Sequence, residues 1–127
     1  MRGARLAAAG TQVCQAAPVE MIEAAGRWFT PDSSGATYEE HLSVADLSVG
    51  TYCLRAGATD PQTPHDEDEL YVVTSGRAKF TGGDQTVDVS AGSTFFVPAH
   101  EVHRFHDVTE DLTVLVFFGP AEGSRSS

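Results

Sequence analysis

The sequence has few basic residues, few cysteines and no long apolar run. It carries 8 Lys and Arg residues against 18 Asp and Glu residues, which gives a formal net charge of -10. Binding to nucleic acid and docking on anionic membranes both depend on Lys and Arg, so we expect neither partner. No stretch approaches the ~20 consecutive apolar residues that a membrane-spanning helix requires. We therefore expect a cytoplasmic protein.

Cysteine is too rare for a disulfide framework, because 127 residues contain only Cys14 and Cys53. Cys53 lies in a strand-like run, and we expect it to be a reduced, structural thiol. The length suits one domain, and a hydrophobic content of 41% is sufficient for a packed core.

The ends of the chain differ in composition from its centre. Residues 1–21 are small or polar and begin with two arginines, but their apolar run is too short and Ala-rich for a signal peptide. We interpret them as a flexible N-terminal extension, or as the product of an upstream start with Met21 as the natural one. Residues 121–127 are predicted to be a flexible tail. A single domain then covers residues 22–120.

Within this domain, short strand-like runs alternate with turn residues. A hairpin is predicted over residues 77–90, because Gly82, Gly83 and Asp84 suit a tight turn. The other predicted strands are residues 38–49, 50–55, 70–74 (ending at Gly76), 94–98, 103–108 and 111–119. This pattern indicates an all-β barrel or sandwich. The residues expected in its core are Leu54, Val72, Phe96, Val114 and Val116.

Two histidines and a glutamate are candidate metal ligands. His65 precedes Glu69 by four residues, and His103 begins a predicted strand. Imidazole and carboxylate are ligands that Zn, Fe, Mn, Ni and Cu share. In a straight strand His65 and Glu69 would lie about 13 Å apart, so the chain must turn between them to bind one ion.

Acidic residues are dense around these candidates. Asp60, Asp66, Glu67, Asp68 and Glu69 all lie within ten residues that include no Lys or Arg. Such a run is typical of a solvated acidic loop, and it would equally attract a cation.

Residues 50–118 resemble the cupin family, whose two motifs have characteristic spacings. The resemblance implies a single double-stranded β-helix, that is, a jelly-roll barrel with one divalent metal ion. The matching residues of the first motif are Gly57, His65, Glu69 and Gly76, and those of the second are Gly92, Pro98 and His103.

Three positions depart from the cupin motifs. Thr63 stands where the first histidine is usual, His100 replaces a glycine, and Asp107 replaces the closing asparagine. The resemblance thus implies His65, Glu69 and His103 as metal ligands, with one usual ligand missing. Gln62 or Glu67 is an alternative fourth ligand.

Strand alternation suggests which side chains accompany the ligands. Tyr71 should share a face with Glu69, and Phe105 with His103, so that both line a pocket with Gln62 and Thr63. Tyr71 is either a catalytic proton donor or base, or a packed residue with its hydroxyl hydrogen-bonded. His106 should face away from His103, and His41 and His100 receive no role.

Three functions are compatible with these residues. The first is a metal-dependent enzyme on a small oxygen-bearing substrate, with a dioxygenase favoured because two histidines and one carboxylate suit ferrous iron. Isomerases, lyases and cyclases are alternatives within the resemblance. The second is a non-catalytic binding module for a small ligand, and the third is a metal-free structural barrel. A homodimer is expected, because exposed sheet edges invite pairing.

Overall fold

The structure of the protein is a computed structural model that describes residues 19–125, which form six strands and no helix. It contains no helix long and apolar enough to cross a membrane within that range. The strands are β1 (Ala36–Val44), β2 (Leu47–Leu54), β3 (Asp68–Gly82), β4 (Gln85–Ser90), β5 (Thr94–Val97) and β6 (His103–Gly119).

All strand pairs are antiparallel, in the order β1-β2-β6-β3-β4, and β5 also pairs with β3. The long strands β3 and β6 pair along their whole lengths, with register irregularities between Val73 and Lys79. The first half of β3 therefore pairs with β5 and the end of β6, and its second half pairs with β4 and the start of β6. The predicted all-β, double-stranded β-helix is confirmed.

Gly76 lies within the irregular part of β3 and has a φ of 95°. A Cβ at this position would lie 2.2 Å from the backbone oxygen of Asp111 in the facing strand. Only glycine tolerates both this φ and this close approach. The sequence prediction ended a strand at Gly76, whereas β3 continues through it as an irregularity.

The predicted hairpin over residues 77–90 is present as β3 and β4. Two other boundaries were wrong. The predicted strand over residues 38–49 is interrupted by a turn at Ala45 and Asp46, and the two predicted strands after residue 102 form the single strand β6. The turn was missed because it contains neither glycine nor proline, and the continuity was missed because polar Thr109 and Glu110 separate the two apolar runs.

The core lies between the two halves of the folded sheet and contains Leu54, Val114 and Val116 as predicted, each at most 2% exposed. Val72 is only half-buried. Phe96 is 61% exposed, so its predicted burial was wrong. In β5 alternate residues face opposite sides, and the register places Phe95 beside buried Tyr71 and Phe96 beside exposed Leu70.

The two ends of the described chain lie against the barrel. The backbone N–H of Gly26 donates to Thr51 Oγ1 over 2.9 Å, and the Gly26 carbonyl accepts from Thr74 Oγ1 over 2.7 Å. Ala121 is 5% exposed, so part of the segment predicted as a flexible tail packs on the barrel. Residues 1–18 of the predicted N-terminal extension lie outside the described residues. Of the remainder of the extension, Val19 and Met21 are exposed.

Candidate metal centre

The three predicted ligands lie together at one end of the barrel. His65 is in the loop before β3, Glu69 is the second residue of β3, and His103 is the first residue of β6. One donor atom from each lies within 4.8 Å of the other two. The chain bends at Asp66 and Glu67, which provides the turn that the spacing of His65 and Glu69 requires.

The loop that carries His65 is held by the loop before β6. The backbone N–H of His100 donates to the His65 carbonyl over 2.7 Å, and that of Ala99 donates to the Asp68 carboxylate over 2.9 Å. The imidazole of His65 lies edge-on to the Phe118 ring, with centroids 4.9 Å apart. Both ligand loops are therefore fixed by contacts that do not use the ligand atoms.

The His103 imidazole is oriented by the backbone carbonyl of a residue two positions before it. Its Nδ1 lies 2.7 Å from the Glu101 carbonyl, so Nδ1–H donates there and Nε2 faces the site. Nε2 lies 3.0 Å from Glu69 Oε1 and 3.3 Å from Gln62 Oε1. Burial lowers the pKa of His103, but hydrogen bonds to Glu69 and the Glu101 carbonyl outweigh it, so the pKa lies above its usual value.

The second carboxylate oxygen of Glu69 shows that these residues fit a cation. Oε2 is buried without a hydrogen-bond partner, and the side chain is 1% exposed. A buried carboxylate oxygen normally finds a donor or a metal, because burying it unpaired is costly. A divalent ion held by Glu69 with the imidazoles of His65 and His103 would satisfy it.

A buried hydrogen-bond network centred on Asp60 lies next to the candidate ligands. The Asp60 carboxylate accepts from the Tyr52 hydroxyl over 2.6 Å, the Gln62 side-chain amide over 2.7 Å and the backbone N–H of Phe105 over 2.8 Å. Gln62 Oε1 in turn accepts from the Tyr71 hydroxyl over 2.9 Å. Asp60 is 6% exposed, so it is not part of a solvated acidic loop. It orients Gln62 toward the ligands.

Tyr71 shares the face of Glu69, as strand alternation predicted. Burial, followed by the charge of Glu69, raises the pKa of Tyr71 well above its usual value. Its hydroxyl therefore keeps its proton and acts as a donor. A base at this position would need the opposite shift.

A cavity of about 310 Å³ lies beside these residues. Gln62 and Thr63 line it as predicted, but Phe105 does not. Phe105 is fully buried, and its ring centroid lies 5.4 Å from that of Tyr71. It shares the inward face of β6 with His103, but its side chain packs in the core and not at the cavity surface. The lining residues are Ala36, Tyr38, Tyr52, Pro61, Gln62, Thr63, His65, Glu69, Tyr71, Val116, Phe118 and Glu122.

A sequence model of the cupin domain matches residues 50–118, which contain all three candidate ligands. The chain belongs to the cupin family. This cupin is 51% identical over 85 residues to an uncharacterized protein of Streptomyces coelicolor, an alignment that covers 67% of this chain and 81% of that protein.

Solved structures share the fold at low sequence identity. An RmlC-like cupin from Shewanella frigidimarina has a TM-score of 0.65 and 17% identity, covering 84% of this chain and 93% of that one. The DMSP lyase DddQ from Ruegeria pomeroyi also has a TM-score of 0.65, with 16% identity, covering 86% of this chain and 57% of that one. At these identities the likeness extends to the fold alone.

Two departures of this cupin from the family motif fall on unusual backbone conformations. His100 and Asp107 are the non-glycine residues of the described chain with positive φ, at 70° and 49°. A motif glycine or asparagine adopts such angles easily, and aspartate tolerates them nearly as well. His100 therefore keeps the glycine geometry at some conformational cost.

The remaining candidates lie away from the ligands. Glu67, the alternative ligand, is 2% exposed and accepts from the backbone N–H of Arg125 over 3.2 Å, and it is not part of the three-residue cluster. His41 Nε2 contacts Thr51 Oγ1 at 2.7 Å. His106 faces away from His103, as predicted, and its Nε2 contacts Thr81 Oγ1 at 2.7 Å.

Sequence reasoning missed Glu122, Tyr38 and Tyr52 in this cupin. Glu122 Oε2 lies 3.7 Å from His65 Nδ1, and burial raises the pKa of the Glu122 carboxyl. Its segment has no strand pattern, so no sequence signal placed it at the site. Tyr38 and Tyr52 line the cavity with Tyr71, so all 3 tyrosines of the chain lie there.

Proposed function

We propose that this cupin is a metal-dependent enzyme that acts on a small oxygen-bearing molecule, with a dioxygenase-like reaction favoured. The observation that carries the proposal is the convergence of His65, Glu69 and His103 within 4.8 Å, with Glu69 Oε2 buried and unpartnered. Two histidines and one carboxylate are the ligand set of non-haem iron oxygenases, while Zn, Mn, Ni and Cu also accept them.

A divalent ion in this site would supply Lewis acidity, and ferrous iron would in addition allow activation of dioxygen. Thr63 lines the cavity where the family usually has a fourth ligand, and its short side chain leaves room for a small molecule there. Gln62 is oriented by Asp60 and positions the Tyr71 hydroxyl. Tyr71 holds a proton that it can donate to an oxygen atom of a molecule in the cavity.

Tyr71 also favours a second candidate, a metal-dependent isomerase, lyase or cyclase. Reactions of this class move a proton without redox chemistry, and a protonated tyrosine beside the ligands suits a general acid. A DMSP lyase is among the proteins that share the fold. Both candidates use the same ligands and the same cavity.

Metal substitution separates the two candidates. The metal-stripped protein is loaded with Fe²⁺ under anaerobic conditions or with Zn²⁺, and both forms are assayed against small hydroxy and carbonyl compounds. A dioxygenase consumes oxygen only with iron, since zinc has no redox chemistry. Turnover with zinc and without oxygen supports the second candidate.

The role of Tyr71 is tested in whichever form is active. Tyr71→Phe should retain the metal and lose activity by about 10²-fold or more, as expected for loss of a positioned proton donor. His106→Phe, a change on the outer face, is the matched control and should retain both. Native turnover in Tyr71→Phe would show that the tyrosine has no part in the mechanism. A native protein that binds metal and ligand but turns over no compound would favour the non-catalytic binding module.

We further propose a homodimer. Leu70 and Phe96 are neighbours across β3 and β5 and are 39% and 61% exposed, which provides an apolar surface for a second copy. Light scattering should give twice the mass of the chain. Phe96→Asp should shift the protein to the monomer, and a native monomer would contradict this proposal.

A further inference from the structure

The C-terminal segment after β6 carries an acidic side chain to the cavity. The backbone N–H of Glu122 donates to Ser48 Oγ over 2.8 Å, and that of Arg125 donates to the buried Glu67 carboxylate over 3.2 Å. Ala121, which precedes both anchors, is also buried. Glu122 lines the cavity, with 32% of its side chain exposed, and its backbone is held to the barrel by the bond to Ser48.

The acidic side chains of the cavity wall have no Lys or Arg beside them among the described lining residues. Glu69 and Glu122 are among its lining residues, and no Lys or Arg is. A site for a carboxylate or phosphate normally offers a guanidinium, an ammonium or a helix N-terminus to the anion. None of the described lining residues offers such a group to an anion, and Glu122 lies beside the candidate metal ligand His65.

The same wall offers hydrogen-bonding groups to an uncharged molecule. The hydroxyls of Tyr52 and Tyr71 are used by Asp60 and Gln62, but the buried hydroxyl of Tyr38 has no partner in the described residues. The end of the Tyr38 ring lies over Gly50, where a Cβ would meet it at 2.2 Å. Tyr38 Oη and Glu69 Oε2 are the unpartnered buried side-chain atoms of residues 19–125, and both residues line this cavity.

We propose that the cavity takes an uncharged molecule with hydroxyl or carbonyl groups, and that Glu122 is the specificity-determining residue that rejects carboxylates. The proposal rests on the metal-dependent function above and names the substrate class of the same site. A metal ion held by His65, Glu69 and His103 would attract one oxygen of such a molecule, and the hydrogen-bonding groups of the wall would bind the others. A carboxylate in this cavity would lie near Glu122, and the two like charges would repel each other.

Two probes of equal carbon number test this inference. The full chain is loaded with Co²⁺, and its visible absorption is titrated with dihydroxyacetone, which is uncharged, and with glycerate, which is anionic. We expect dihydroxyacetone to bind about tenfold more tightly. Glu122→Gln removes the charge and keeps the shape, and it should reduce this preference about tenfold through tighter glycerate binding. Glu110→Gln, an equal change of net charge at an exposed position outside the cavity, should leave the preference unchanged.

Each outcome has a definite meaning. Equal or tighter binding of glycerate by the native protein overturns the substrate class, as does failure of the cobalt form to bind dihydroxyacetone. An unchanged preference in Glu122→Gln overturns the role of that residue. If the protein fails to retain Co²⁺, the metal-dependent function fails instead. The selectivity is then measured as the shift in melting temperature of the metal-free protein with each probe. If dihydroxyacetone does not give a larger shift than glycerate, the proposed substrate class is also wrong.

Discussion

Nε2 of His103 lies 3.0 Å from Oε1 of Glu69, and each side chain is only 1% exposed. The pair closes the inner end of the candidate site, and it couples protonation of the metal-free protein to its folding.

The pH dependence of the metal-free protein follows from this pair. The folded pKa of His103 is raised above its unfolded value of about 6.5, so its contribution to stability is fully present below that pH and is lost as the pH rises through the folded pKa. In the presence of a chelator, the melting temperature of the native protein should exceed that of His103→Gln at pH 6, and the difference should narrow toward pH 9. His106→Gln is the control and should show no such trend. A difference that widens with pH would contradict the assignment.

Restoring the fourth ligand should strengthen metal binding. Thr63 lines the cavity at the position of the usual histidine, so Thr63→His should bind Co²⁺ or Zn²⁺ about 10-fold or more tightly in a competition assay with a chelator. Thr63→Gln is the control for side-chain size. If the site is catalytic, the histidine variant should turn over more slowly, because it fills space that the substrate needs. Unchanged metal affinity would place Thr63 away from the ion.

The unpartnered hydroxyl of Tyr38 predicts an asymmetry between two tyrosines. Tyr38→Phe removes a buried polar atom without a partner, so the free energy of unfolding should stay the same or rise by up to about 1 kcal/mol. Tyr52→Phe leaves Asp60 without one of its donors and should lower it by about 1.5–3 kcal/mol. Urea denaturation measures both values. A large loss in Tyr38→Phe would show that its hydroxyl has a structural partner.

His100 predicts a stabilising substitution. His100→Gly relieves a φ of 70° and should raise the free energy of unfolding by up to about 1 kcal/mol. Its contact with Asp66, 3.3 Å between exposed side chains, is worth little. Gly92→Ala is the converse control, since its φ is 96° with open space around it, and it should lose about 1 kcal/mol from backbone strain alone. A destabilised His100→Gly would show that the side-chain contacts of His100 stabilise the loop by more than its backbone strain costs.

The sequence predicted the parts of the site that have local signals. His65, Glu69 and His103 could be identified because their spacing and the adjacent strands obey a family pattern, and alternation placed Tyr71 correctly beside Glu69. The same alternation could not decide which of Phe95 and Phe96 faces the core. Only the register of β5 on β3 determines it, and that register depends on contacts distant in sequence.

Glu122 could not be predicted for a related reason. Its position depends on Ser48 and Glu67, which are 74 and 58 residues from their partners in the C-terminal segment. Asp60 was equally hidden, because a buried carboxylate in a tight network and a solvated one have the same local sequence. Tertiary contacts of this kind determine which polar residues enter a site, and no local pattern records them.

The metal content of the protein tests the central claim most directly. The native chain, purified without chelator, is compared by elemental mass spectrometry with a His65→Ala, His103→Ala double variant and with a His41→Ala, His106→Ala double variant. We predict close to one transition-metal ion per chain in the native protein and in the second variant, and almost none in the first, with all three folded. Full occupancy in the first variant, or a native protein that takes up no metal even when it is offered, would contradict the account.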